Sequence, residues 1–266
     1  GELNRYDPTA REMTGYPSTK GFNIQSIICE GNQLWMTSFN YGVYTFDRNR
    51  GEIIRHYSLP SESQSAVCMY KTKGGKLLVG ASRGLFRYDR ESDSFVPFGE
   101  DTEYFVHCLT QDRNGNIWMG TFGSGIRILD EKGNLVATIT EKNGDTGLSS
   151  DYITSFTQDS DGRMWVTTEG GGVCYSEVKY KVDEMKFSKI TRDSGLSSNI
   201  TSAVVEDRDG NIWISTSKGI MLVDPARIGF ERLYTEKSHV TGDQYSYGAS
   251  FLSPNGNIFL GTTNGM

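Results

Sequence analysis

Asp112 to Asp130 reads DRNGNIWMGTFGSGIRILD, Asp159 to Glu177 reads DSDGRMWVTTEGGGVCYSE, and Asp207 to Asp224 reads DRDGNIWISTSKGIMLVD. Laid over one another, the three stretches place an acid, an Asn-Gly or Asp-Gly pair and a tryptophan at matching offsets, with a turn glycine after them at Gly125, Gly172 and Gly219. A recurring unit of this length is one supersecondary element that cannot bury its apolar face alone, so the period decides the fold before any single residue does. With the tryptophan as anchor, three looser copies follow on both sides, so that the six anchors are Trp35, Leu78, Trp118, Trp165, Trp213 and Phe259. The spacings are 43, 40, 47, 48 and 46 residues. That is the period of a propeller blade.

The columns around the anchor carry physical meaning. The residue before it is Leu34, Leu77, Ile117, Met164, Ile212 or Ile258, and the residue after it is Met36, Val79, Met119, Val166, Ile214 or Leu260. Three consecutive apolar positions predict a strand buried on both faces, as happens where sheets stack face to face around an axis. A turn ending in Gly42, Gly84, Gly125, Gly172, Gly219 or Gly265 follows. A second strand then runs to Asp47, Asp89, Asp130, Glu177 or Asp224. Ahead of the anchor, Asn114-Gly115, Asp161-Gly162 and Asp209-Gly210 are pairs that favour tight hairpins. The unit therefore reads strand A, hairpin, strand B, glycine turn, strand C and a looser strand D. The expected class is all-β: a β-propeller of four-stranded antiparallel blades, with six repeats over residues 1–266. Gly1 to Asp7 matches strand C and Arg11 to Pro17 can serve as strand D, so residues 1–17 are expected to complete the last blade with 245–266. A closed six-bladed ring and an excerpt of a seven-bladed or tandem array both fit.

Composition agrees and excludes several functions. The chain has 31 glycines, 6 prolines and 12% aromatics, which suits many short strands joined by tight turns. A net charge of −6 leaves no basic footprint for a nucleic-acid backbone, so nucleic acid is not an expected partner. No apolar run reaches the length of about 18 residues that spans a bilayer, so this segment is not expected to insert directly.

Candidate chemistry is sparse. Ser26, Cys68, Cys108, Ser155, Ala203 and Ala249 share one column of strand A, and all are small. This makes Cys68 and Cys108 packing residues, and free thiols are expected at all four cysteines, with Cys29 and Cys174 in other columns. No Cys or His spacing suits zinc. Asp159 and Asp207 superficially open a calcium loop, but the twelfth positions hold Gly170 and Lys218 in place of a bidentate acid. The glycine clusters at 120–125 and 170–172 lack the lysine and helix of a phosphate cradle. The three histidines, His56, His107 and His239, accompany no serine motif. No metal, no cofactor and no catalytic group is expected.

The pattern D-x-x-G-x-I-W-x-G/S-T-x-x-G-I/L-x-x-x-D, with GLSSD at 147–151 and GLSSN at 195–199, resembles the two-component regulator propeller repeat. The resemblance is strongest for the blades anchored at Trp118, Trp165 and Trp213, and weaker at Leu78 and Phe259. It implies the periplasmic sensor region of a hybrid two-component system of the kind found in gut Bacteroidetes. There, propellers precede a membrane helix, a histidine kinase and further domains, none of which this chain contains. It also implies recognition of oligosaccharides from complex glycans, together with a second propeller or self-association in the parent protein.

Strand order puts the B-to-C turns and D-to-A loops on one rim and the hairpins on the other. Loops on a rigid scaffold carry function. On the first rim the B-to-C turns offer Phe39, Asn40, Tyr41, Arg83, Phe122, Glu169, Lys218 and Asn264, aromatics and polar groups suited to sugar stacking and hydroxyl recognition. Phe122 is expected to be exposed there, and Trp118 and Trp165 to be buried between blades. Two alternatives remain open: an architectural or dimerisation propeller with no small ligand, and a lyase of the virginiamycin B type. The lyase would need a rim histidine and an acid with a bound metal.

Overall fold

A computed structural model describes residues 2–60, 65–99, 103–178, 181–224, 229–235 and 244–262. It divides into two compact units, residues 1–107 and 108–266. The first contains the hairpin β1 (Asn4–Asp7) and β2 (Glu12–Gly15), followed by two four-stranded blades. These are β3 (Ile24–Glu30), β4 (Gln33–Ser38), β5 (Gly42–Asp47) and β6 (Glu52–Tyr57), then β7 (Ala66–Lys71), β8 (Leu77–Ala81), β9 (Leu85–Asp89) and β10 (Ser94–Pro97).

The second unit, whose boundary falls inside β11, holds three blades and a hairpin. The blades are β11 (Val106–Gln111), β12 (Ile117–Thr121), β13 (Ile126–Leu129) and β14 (Leu135–Ile139); β15 (Ile153–Gln158), β16 (Met164–Thr168), β17 (Gly172–Ser176) and β18 (Phe187–Ile190); and β19 (Thr201–Glu206), β20 (Ile212–Thr216), β21 (Gly219–Asp224) and β22 (Gly229–Tyr234). The hairpin is β23 (Tyr245–Leu252) with β24 (Ile258–Thr262). Each blade is an antiparallel meander in the order A-B-C-D, and no α-helix occurs among the described residues. The all-β propeller reading holds. Five repeats form whole blades, the sixth supplies strands A and B, and β1 and β2 fall where strands C and D were read.

Strand B is buried along its whole length in β8, β12 and β16. In the second unit Trp118 seats among Ile126, Met164, Val166 and Phe187, and Trp165 among Val173, Leu196, Val204, Ile214 and Val223. Both tryptophans are 0% exposed. Trp35 occupies the corresponding position in the first unit, between β4 and the sheet of β7 to β10.

The acid that opens each hairpin holds both ends of the arrangement. Asp112, Asp159 and Asp207 each accept a hydrogen bond from the indole Nε1 of their own anchor, at 3.1, 2.8 and 2.8 Å. Their other oxygen accepts hairpin N–H groups, for example Gly162 N and Arg163 N, each 2.8 Å from Asp159 Oδ1. These carboxylates serve the turn and the tryptophan, which is the structural reason the apparent calcium-loop openings recur.

Strand A carries a one-residue bulge at the same place in four blades: the register slips between Ile24 and Ser26, Ala66 and Cys68, Ile153 and Ser155, and Thr201 and Ala203. The small column follows the bulge directly and faces Thr37, Gly80, Thr167 and Ser215 on strand B. Where the A residue is a cysteine, the B residue is glycine, since a Cβ on Gly80 or Gly120 would stand 2.6 or 2.5 Å from the facing Sγ of Cys68 or Cys108. The column therefore selects paired volume across two strands. The bulged Thr154 turns its hydroxyl to the next blade, 2.9 Å from Thr201 O.

The glycine that opens strand C is demanded twice over. Gly172 has φ +80°, and a Cβ there would lie 2.3 Å from Ile190 O on strand D. The GLSS stretches have a mechanical role as well: Leu148 and Leu196 are buried between blades. Ser150 Oγ donates to Glu169 O at 3.0 Å and Ser198 Oγ bonds Ser217 Oγ at 2.7 Å, fastening the D-to-A loop onto the B-to-C turn.

Candidate functional site

Backbone bonds place the D-to-A loops and B-to-C turns along one edge within each unit. Ser82 N donates to Ser65 O at 3.0 Å in the first; Glu169 N donates to Tyr152 O at 2.9 Å and Ser217 N to Ile200 O at 3.0 Å in the second. Loops tied down in this way present side chains from a fixed backbone, which lowers the ordering cost of binding.

In the first unit the turn after β4 exposes Phe39, Asn40 and Tyr41. Tyr41 is 49% exposed, its ring 6.0 Å from that of Phe22. Its carbonyl contacts His56 Nε2, and the His56 ring stacks on Tyr44 at 4.6 Å. Arg83 is exposed in the turn after β8.

In the second unit Phe122 departs from expectation. It is half-buried, bridged to Tyr152 through the backbone, with the two rings edge to face at 4.9 Å. The D-to-A loop that precedes β15 folds over it, which strand order by itself did not reveal. Lys218 is exposed, with its backbone N donating to Thr216 Oγ1 at 3.1 Å. Glu169 is half-buried. Asn264 and His239 lie outside the described residues. The structure thus places four of the sequence-derived residues in one unit and three in the other.

Two residues that the sequence reading passed over complete the second-unit group. Tyr152 is 45% exposed and Tyr247, on β23, is 40% exposed. Tyr247 bonds the Glu169 carboxylate; burial first, then the charge and hydrogen bond of Glu169, push its phenol above the usual tyrosine value. One exposed phenol bonds the Glu169 carboxylate, and the ring of Tyr152, a residue whose carbonyl accepts from Glu169 N, stands against Phe122. Such a group can stack on an apolar ring face and accept hydrogen bonds from hydroxyls. A large aromatic at the last D-to-A position, shared with Phe105 where other repeats carry Asn23, Ser65 or Ile200, was the available signal for Tyr152. Tyr247 sits in a weaker repeat and gave no comparable signal. Among the described residues no group of three His, Cys, Asp or Glu is placed to hold a metal ion.

Residues 101–123, 147–170 and 194–218 match the family model described as two component regulator propeller. These stretches are two-component regulator propeller repeats. They cover the D-to-A loop, strand A, hairpin, strand B and B-to-C turn of the three blades in the second unit. No curated protein matches the chain in sequence.

The chain is similar in fold to the extracellular domain of a hybrid two-component system from B. thetaiotaomicron. The TM-score is 0.73 at 20% identity, over 95% of this chain and 39% of that one. It is similar to PorZ, a surface component of the type-IX secretion system of Porphyromonas gingivalis, with TM-score 0.69 at 14% identity over 95% of this chain and 40% of that one. It is also similar to virginiamycin B lyase from Staphylococcus aureus, with TM-score 0.65 at 15% identity over 91% and 85% of the two chains. At these identities the likeness shows the fold. The chain spans about two fifths of the B. thetaiotaomicron domain it matches.

Proposed function

We propose that this chain is a non-catalytic, ligand-sensing segment of the periplasmic region of a hybrid two-component system, and that its ligand is an oligosaccharide released from a complex glycan. The match of three blades to the two-component regulator propeller carries the reading. The exposed Tyr152 and Tyr247 beside Glu169 support it, because stacking faces next to a hydrogen-bonding carboxylate suit a pyranose ring. The parent protein carries the kinase, and a second propeller or a second copy of this one relays the signal. Aromatic stacking and the Glu169 carboxylate favour neutral sugars at this group; Arg83 and Lys218, exposed elsewhere on the loops, suit acidic ones.

The test is a thermal-shift screen with neutral and acidic oligosaccharides, on this chain and on the full sensor region. A ligand that binds only the native state adds RT ln(1 + [L]/Kd), about 2.7 kcal/mol at a hundredfold excess, which moves a domain of this size by about 2 to 4 °C per kcal/mol. Binding should be lost in Tyr152→Ala. Silence of both proteins toward every oligosaccharide would sink the sensing reading and leave an architectural module. A lyase of the virginiamycin B type is the second reading, favoured by the likeness to that fold over 91% of this chain. Turnover of a streptogramin B by the purified chain would establish it.

A further inference from the structure

The bulge in β23 is larger than its counterparts. In β3, β7, β15 and β19 a single residue, Gln25, Val67, Thr154 or Ser202, is inserted opposite strand B. In β23, Tyr245 pairs with Thr262 and Ser250 with Leu260, so Ser246 to Ala249 stand against Gly261 alone. Ala249 is the residue that faces this glycine, since a Cβ on Gly261 would lie 2.9 Å from the Ala249 Cβ. Ser246, Tyr247 and Gly248 are therefore left without a cross-strand partner where each of the four other blades leaves one residue. Inserted residues stand outside the ladder, so a longer bulge is a longer piece of backbone that moves without breaking the sheet.

Both feet of this piece are fixed and its middle is uncovered. Tyr245 is buried at one end and Ala249 faces Gly261 at the other, whereas Ser246, Tyr247 and Gly248 are exposed. Gly248, at φ +65°, brings the chain to the sheet two before its own in chain order, where a Cβ on it would lie 3.7 Å from Thr154 O in β15. From there the Tyr247 phenol bonds the Glu169 carboxylate. Burial leads the causes that raise this phenol, so its hydroxyl end is sheltered although the residue as a whole is 40% exposed. The other side of the contact is rigid: Glu169 N donates to Tyr152 O at 2.9 Å, and Ser150 Oγ donates to Glu169 O at 3.0 Å. A donor on an unpaired stretch thus meets a charged acceptor on backbone held at both its N–H and its C=O.

We propose that residues 246–248 are a strap with two states, latched when the Tyr247 phenol is on Glu169 and unlatched when it is not, and that a neutral sugar on this group closes it. The second clause rests on the ligand-sensing reading: a sugar that touches Glu169 and Tyr247 together binds the latched state and shifts the strap towards it. Closing the strap ties the β23–β24 hairpin to the β15–β18 sheet, which gives the site an output.

Native-state proteolysis with chymotrypsin reads the strap on the whole chain. The protease cuts after Tyr247, accepts phenylalanine there equally, and needs local opening of a folded chain. Mass spectrometry follows the cut between 247 and 248, with the cut between 41 and 42 in the first unit as internal control. Tyr247→Phe keeps the ring and loses the bond, and should speed the first cut about fivefold while leaving the control unchanged. Glu169→Gln should speed it about threefold, and the double variant should match Tyr247→Phe, because both changes act through one bond. An unchanged cut in Tyr247→Phe, multiplied effects in the double variant, or equal acceleration at both cuts would overturn the latch. Maltose, cellobiose and N,N′-diacetylchitobiose are the sugar probes, read by melting temperature and by the same cut. A disaccharide at ten times its Kd should slow the cut about tenfold, since it binds only the latched state. A melting shift without slowing would overturn closure by the sugar and leave sensing standing. No shift from any of the three would also overturn closure by a neutral sugar, whereas the sensing reading fails only if acidic oligosaccharides are silent too.

Discussion

Trp165→Phe and Trp165→Ala together separate the two jobs of the anchor. The indole is fully buried, packs against the Tyr175 ring at 5.2 Å and donates to Asp159 Oδ2 at 2.8 Å. Asp159 is itself 1% exposed, so a lost donor is not replaced by bulk water. Phenylalanine keeps most of the apolar ring but leaves that carboxylate oxygen without the indole, which should cost about 2 kcal/mol. Alanine adds the cavity between β16 and the next blade, and truncation of a buried aromatic costs about 3 to 5 kcal/mol by itself, so the total should reach about 5 kcal/mol. In thermal terms these are drops of about 4 to 8 °C and about 10 to 20 °C. Urea unfolding followed by far-UV circular dichroism at 25 °C gives the free energies directly, with Asp159→Asn and the double variant closing a cycle whose coupling should be about 1 to 2 kcal/mol. If Trp165→Phe is neutral, or if Trp165→Ala costs no more than Trp165→Phe, the account of an anchor held by both packing and the aspartate is wrong.

Asp207 offers a pH test. Burial alone would raise its carboxyl, but the bonds from Trp213, Asn211 and the backbone outweigh it and hold the group below the usual carboxylate range. A carboxyl that is more acidic in the folded state contributes stability above its unfolded pKa of about 4 and loses it as the pH falls through the folded value. Melting temperatures from pH 5 to pH 2 should therefore fall less steeply in Asp207→Asn than in the parent, and parallel curves would refute the assignment. Gly172→Ala should cost more than about 2 kcal/mol, because left-handed backbone strain is joined by the clash with Ile190 O. Gly170→Ala, also at positive φ but with nothing within 4 Å, should cost about 1 kcal/mol, and equal losses in urea would remove the close-approach argument. Of the thiols, Cys29 is exposed, whereas burial pushes Cys68 up to about 12 and raises Cys174. An aromatic disulfide reagent at pH 8 should modify Cys29 in the native protein and leave those two until unfolding, and rapid native modification of Cys68 would show that the inner-strand packing is misjudged.

What the sequence determined by itself was the repeat and everything local to it. Three apolar residues around each anchor, the Asn-Gly and Asp-Gly pairs and the strand C glycines specify strands and turns through near-neighbour sterics and solvent exclusion, so period and element order can be read without a partner surface. The recurrence of small residues through Cys68, Cys108 and Ala203 was also legible, but its cause was not. The facing glycine lies about twelve residues away across a bulged strand pair, and only the register brings Gly80 onto Cys68. The tryptophan–aspartate bond was hidden for the same reason, since a spacing of six residues acquires meaning only once the hairpin folds Asp159 back over Trp165. At the loops the tertiary structure decided most. Phe122 is covered by Tyr152, and Tyr247 meets Glu169, through contacts between blades rather than within one. A one-dimensional period carries no record of which side chains neighbouring blades bring together, because those contacts depend on how adjacent sheets stack.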